Sequence, residues 1–237
     1  MQRLRLRAFH AIERLMSADF TGLAAVAFDL DDTLFDREAA LRRLLRSWFG
    51  DLTSGDLDEI LRLDGRGHLP RITFFEWLAD RWPVADCDGD ELWSRFRAEL
   101  PNHIHGDAFA RPLLKQITTS GLMCGILTNG STVLQFAKLQ ATGLLDHFNP
   151  KHILVSEAIG AEKPALSAFA ALCDALALPS ERILFVGDHA EKDIMGAKEA
   201  GMRTCWLRRR DPGGICPQAD LVIDSLEELM PLLFSRV

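Results

Sequence analysis

Six short apolar runs, at residues 23–28, 122–127, 153–155, 183–186, 204–207 and 221–223, constrain the fold of this chain more than any other feature. The first reads Leu23-Ala24-Ala25-Val26-Ala27-Phe28 and stops at an acidic cluster. Each run is continuous, with no alternation of apolar and polar residues. That pattern suits strands buried on both faces of a parallel sheet. Helical patterns lie between most of them: Phe109, Leu113, Leu114 and Ile117 precede one run, and Leu166, Phe169, Ala170, Cys173 and Leu176 precede another. Alternating strands and helices imply right-handed crossovers and a doubly wound α/β sheet.

One stretch breaks the alternation. From Asp36 to about Gly106 the pattern is helical throughout. Leu41, Leu44, Leu45, Trp48 and Phe49 share one helical face. Thr73 and Glu76 have capping-box spacing ahead of Leu78 and Trp82, and Leu92, Phe96 and Leu100 mark a last short helix. The expected organisation is a core of residues 1–36 and 107–237 with a helical cap at 37–106. Phe35-Asp36 and Gly106-Asp107 are its expected hinges.

Ligands of open α/β sheets bind beyond the carboxyl ends of the strands. After the first run comes Asp29-Leu30-Asp31-Asp32-Thr33, and after the second Thr128-Asn129-Gly130. Glu162-Lys163-Pro164 follows the third, and Gly187-Asp188-His189, with Asp193 beyond, follows the fourth. Each motif alone has a plain reading as a turn or a helix cap. Four in order at one sheet edge suit phosphoryl transfer. Asp29 can offer one carboxylate oxygen to a metal and the other as nucleophile. Asp31 can act as acid toward the leaving oxygen and then as base toward water. Asp188 adds to a hard oxygen site suited to Mg²⁺. Lys163 can offset carboxylate–phosphate repulsion, and Thr128 and Asn129, with backbone N–H groups, can hold the phosphoryl oxygens.

Composition removes other classes. The formal net charge of −7 argues against a nucleic-acid polymer as partner, and no apolar run is long enough for a membrane span. Cys87, Cys124, Cys173, Cys205 and Cys216 are odd in number and scattered, which predicts reduced thiols in a cytoplasmic protein. The basic segment 1–20 carries Phe9, Ile12 and Met16 at helical spacing. It reads as a docked terminal helix or an extended start; its moment is weak for a membrane-surface helix.

The segments FDLDDTLFD (28–36), LTNG (127–130), KPALSAF (163–169) and VGDHAEKDIMGAKEAGM (186–202) resemble the haloacid dehalogenase-like (HAD) superfamily, in the branch with a helical cap after the first motif. The resemblance implies Asp29 as nucleophile, Asp31 as acid/base, and Thr128 and Lys163 as stabilisers of phosphate and intermediate. It also implies Mg²⁺ on Asp29, the Asp31 carbonyl and Asp188, with Asp193 bound to it or close by. His189 stands where the family often has Ser or Thr; it is either a substrate contact or a helix-start residue. Asp31 is absent from the dehalogenating members, so its presence moves the expectation to phosphate esters.

The capped layout and the tail at 205–233 resemble pyrimidine 5′-nucleotidase-type members. The expected substrate is a small phosphorylated metabolite, with a nucleoside monophosphate as one candidate, and the expected state a monomer or homodimer. A sugar phosphomutase and a silent regulatory protein are the alternatives on the same core. The segment 63–68 carries Arg66 between two glycines. It reads either as a specificity loop, with Arg66 on the leaving group, or as an exposed turn. Phe75, Trp77 and Trp82 are better explained by packing than by stacking on a substrate.

Overall fold

A computed structural model describes residues 22–67, 69–82 and 87–234; the basic segment 1–20 lies outside them. The apolar runs form β1 (Ala25–Phe28), β2 (Met123–Thr128), β3 (Ile153–Val155), β4 (Ile183–Gly187), β5 (Arg203–Leu207) and β6 (Leu221–Ile223). All pair in parallel, in the order β3-β2-β1-β4-β5-β6. The most apolar run is thus central, and the chain winds outward from it in both directions.

Strand periodicity sorts the side chains of β1 onto two faces. Val26 and Phe28 join the apolar cluster of α5 (Ala110–Thr119), through Leu113, Leu114 and Ile117. Ala25 and Ala27 face the other way, into the cluster of Phe169, Leu172 and Leu176 on α7 (Leu166–Leu176). Both faces are covered, which is why the runs are continuous.

Among the described residues between β1 and α5 stand four longer helices: α1 (Arg37–Trp48), α2 (Ser54–Asp64), α3 (Arg71–Arg81) and α4 (Gly89–Glu99). Leu41, Leu44 and Leu45 of α1 are buried as their spacing predicts. The capping expectation at Thr73 is corrected. Pro70 takes the cap position with no side-chain bond, and α3 starts at Arg71, so Thr73 lies inside the first turn. The capping boxes are Thr53 with Asp56 and Asp88 with Glu91. Phe75 packs on Phe96 at 5.2 Å and on Trp93 at 5.4 Å, while Trp77 packs edge-on against Trp82 at 5.4 Å. The apolar interior of these helices is continuous with that of the sheet face carrying Val26 and Phe28.

Two crossing segments run antiparallel. Phe35 bridges Gly106, and the Asp107 N–H donates to the Leu34 carbonyl at 2.9 Å. Gly106 is required by close approach, since a Cβ there would lie 2.9 Å from the Thr142 carbonyl oxygen. Arg209 pairs with Asp107 and Arg210 with Asp36, so consecutive arginines after β5 hold both crossings.

A buried ion cluster fixes the loop after α2. Asp64 is 1% exposed and accepts from Arg37 Nη1 at 2.7 Å, Arg71 Nη1 at 2.8 Å and the Gly67 N–H at 3.0 Å. Burial pushes the Asp64 carboxyl up, but Arg37 and Arg71 outweigh it and hold it below its usual range. Asp64→Ala would leave the buried Arg37 guanidinium without its main partner. The expected cost is about 3–5 kcal/mol of stability. The surface pair Arg208–Asp224, by contrast, should be worth under about 1 kcal/mol. Thermal unfolding of Asp64→Ala and Asp224→Ala checks both, and equal shifts in Tm would contradict the ranking.

Candidate active site

Register brings the motifs together. Phe28 pairs with Ile126 on one side and Val186 on the other, so β1, β2 and β4 end within two residues of one another. Asp29, Thr128 and Asp188 therefore leave the sheet at one edge. The cavity there encloses about 300 Å³ and is walled on the far side by Arg66, Trp93 and Phe96 from the inserted helices.

Asp29 is buried, and its Oδ1 accepts from Lys163 Nζ at 2.6 Å. The same ammonium donates to Asp193 Oδ1 at 2.7 Å. Burial pulls Lys163 down, but the carboxylates of Asp193 and Asp29 outweigh it and hold its pKa above the usual lysine range. For Asp29 burial dominates: it pushes the carboxyl up to about 7, against the pull of Lys163 and with added repulsion from Asp193. Gly187 allows this crowding, because a Cβ there would lie 2.5 Å from the Asp193 side chain.

Carboxylate oxygens of Asp29, Asp188 and Asp193 lie within 4.8 Å of one another. The donors are all hard oxygens, and three carboxylates face two cations, Lys163 on Asp29 and Asp193 and Arg66 on Asp188. That set fits a small divalent cation such as Mg²⁺. The Asp31 side chain is not part of it. Asp193 also accepts from the His189 N–H at 2.9 Å, so its two oxygens hold Lys163 and the start of the following helix. His189 Nδ1 accepts from the Lys192 N–H at 3.2 Å, which places His189 at that helix start, on the cavity wall.

The Asp31 carboxylate turns toward α6 (Thr132–Ala141). Lys138 Nζ lies 2.8 and 2.9 Å from its two oxygens, and Gln135 Nε2 donates to Oδ2 at 2.9 Å. Burial pushes Asp31 up, but Lys138 and Arg37 outweigh it, and the carboxyl sits below its usual range. In this geometry Asp31 is ionised.

The other expected residues are also placed. Thr128 is 1% exposed, and its hydroxyl accepts from Gln135 Nε2 at 2.5 Å. Asn129 lines the cavity, and its side-chain amide exchanges two 2.9 Å hydrogen bonds with the Lys163 backbone. Its amide therefore positions the lysine. Arg66 sits in a left-handed turn at φ 59° and reaches into the cavity, where it pairs with Asp188 and lies 3.9 Å from Asp32. Arg66 and Gly67 both line the cavity. Sequence reasoning missed Lys138, Gln135 and Arg37. Their spacing on α6, three residues apart and just beyond Thr128-Asn129-Gly130, was the available signal for the first two.

A parallel sheet with carboxylates gathered at its central strand ends, beneath an inserted helical cap, defines a capped α/β enzyme with an acidic, metal-capable centre. The family model for haloacid dehalogenase-like hydrolases matches residues 23–201, and the chain belongs to that family. It is 32% identical over 225 residues to the pyrimidine 5′-nucleotidase YjjG of Escherichia coli, covering 88% of this chain and 96% of that one. It is 30% identical over 237 residues to a glyceraldehyde 3-phosphate phosphatase of Methanopyrus kandleri, covering 89% and 97%. Among solved structures it resembles the HAD-hydrolase YfnB of Bacillus subtilis, determined with magnesium bound, at a TM-score of 0.73 and 28% identity over 90% of this chain and 99% of that one. Among the described residues no helix is long and apolar enough to cross a membrane.

Proposed function

We propose that this chain is a Mg²⁺-dependent phosphomonoester hydrolase that forms an aspartyl phosphate on Asp29. One observation carries the reading: a buried carboxylate at the end of the central strand, 2.6 Å from the Lys163 ammonium and grouped with Asp188 and Asp193. Asp29, Asp188 and the Asp31 carbonyl would hold Mg²⁺, which would supply positive charge for a phosphoryl group. Asp193 stays beside them, holding Lys163.

The steps follow from the chain's own groups. An Asp29 oxygen attacks phosphorus as the bond to the leaving oxygen breaks, and Asp31 gives that oxygen its proton. Water then attacks the phospho-aspartate, Asp31 takes the water's proton back, and Asp29 is released with inorganic phosphate. Asp31 is ionised in the substrate-free geometry, so it takes up one proton as substrate binds, and it ends each cycle with that proton. Lys163 and Thr128, both on the cavity lining, would stabilise charge on the phosphoryl oxygens.

The substrate is a small phosphorylated metabolite, and a nucleoside 5′-monophosphate is the first candidate. The named activities of the relatives support that class, and Trp93 and Phe96 give the cavity an aromatic wall. Arg66 would read the leaving group once its guanidinium is released from Asp188. Purified protein with Mg²⁺ and no bisphosphate activator should release phosphate from p-nitrophenyl phosphate and from members of a phosphomonoester panel. Turnover only with an activator would indicate a mutase, and none under either condition a silent protein. Arg66→Ala should cost about 1–3 kcal/mol in kcat/KM on the best panel substrate and little on p-nitrophenyl phosphate. Equal losses on both would remove Arg66 from substrate selection.

A further inference from the structure

We propose that Lys138, together with Gln135, positions the Asp31 carboxylate for hydrolysis of the aspartyl phosphate. This inference rests on the phosphatase reading above. Gln135 and Lys138 stand three residues apart on α6 and so share a face. Lys138 is 5% exposed and spans both Asp31 oxygens, at 2.8 and 2.9 Å. Gln135 is 2% exposed, and its amide nitrogen donates to Asp31 at 2.9 Å and to Thr128 at 2.5 Å. Through Gln135, the acid/base carboxylate is tied to the hydroxyl at the end of β2. The lysine side chain is sealed, at 6% exposure, while that of Asp31 keeps 23% open beside the cavity.

An ammonium across both oxygens stops the carboxylate from rotating and suits its ionised form. That is the form Asp31 has between the two half-reactions, after it has given up its proton. In the second half-reaction a water oxygen bonds to phosphorus and the bond from phosphorus to Asp29 breaks. The electron pair returns to Asp29, and the water's proton passes to Asp31. A loosely held carboxylate would spend less time oriented toward that water, and the step would slow.

p-Nitrophenyl phosphate isolates this step, because p-nitrophenolate leaves without needing a proton. Its kcat/KM reports phosphorylation, while a slowed hydrolysis appears in kcat. In the full-length Mg²⁺-loaded protein, Lys138→Met should lower kcat about 10- to 100-fold and kcat/KM less than about 3-fold. A p-nitrophenolate burst near one equivalent per enzyme should appear as the phosphoenzyme accumulates. Lys138→Arg, which can still bridge both oxygens, should restore most of kcat. Gln135→Met should shift the same parameters in the same direction and decides the matter if Lys138→Met does not fold. Parallel loss of kcat and kcat/KM without a burst would overturn the proposal, as would no change in either. A wild-type protein without phosphate release would overturn the phosphatase reading itself, and this inference with it.

Discussion

Asp29→Asn should fold as the wild type does and lose at least about 10³-fold in turnover, the scale seen when a covalent nucleophile is removed. An amide is a poor nucleophile, and its neutral oxygen is a weaker partner for a hard cation. Folding should survive because the wild-type site is electrostatically crowded. Asp29 lies beside Asp188 and Asp193, Lys163 reaches only Asp29 and Asp193, and burial above all pushes the Asp29 carboxyl up to about 7. A neutral amide removes the cost of burying that charge, and Lys163 keeps its 2.7 Å bond to Asp193. Tm should therefore hold or rise while kcat collapses. Retention of more than about a hundredth of wild-type kcat would remove Asp29 from the covalent role, by the usual reading of mutant kinetics.

Metal removal should be nearly as severe. EDTA is expected to abolish phosphate release, and excess Mg²⁺ to restore it. Ca²⁺ should substitute poorly, because its larger and looser shell does not hold the octahedral geometry Mg²⁺ imposes. A second readout is independent of turnover. A cation that binds only the folded chain raises its stability by mass action, by about 2.7 kcal/mol at a hundredfold excess over Kd. Mg²⁺ should thus raise the Tm of the wild type and do so far less for Asp188→Ala. Full activity in metal-free buffer, or equal Tm shifts in both proteins, would contradict the metal assignment.

The sheet was legible because its strands are buried on both faces and therefore apolar at every position. The run at 153–155 coincides with β3, and that at 221–223 with β6. Site positions were legible for a related reason: in a parallel sheet the polar residue after each run falls at a common edge, so Asp29, Thr128 and Asp188 meet. The helices of the insert were harder. Only the general helical pattern points to α2, although Thr53 and Asp56 form its capping box, and the Thr73 spacing puts the start of α3 late because Pro70 takes the cap position without a side-chain bond. Contacts set by tertiary packing left the weakest trace. Lys138 lies 107 residues from Asp31, and Asn129 turns its amide to the backbone of Lys163, 34 residues away. No local pattern encodes either pairing; both follow from the order in which strands are laid beside β1.

The claim on which the rest depends is that phosphate passes through a covalent bond to Asp29. Rapid acid quench during turnover, digestion and mass spectrometry of the peptide containing Asp29 tests it directly. A mass increase of one phosphoryl group is expected on Asp29, present in the wild type, enriched in Lys138→Met and absent from Asp29→Asn. Steady phosphate release with that peptide unmodified at every time point, or with the phosphoryl group on another residue, would contradict it.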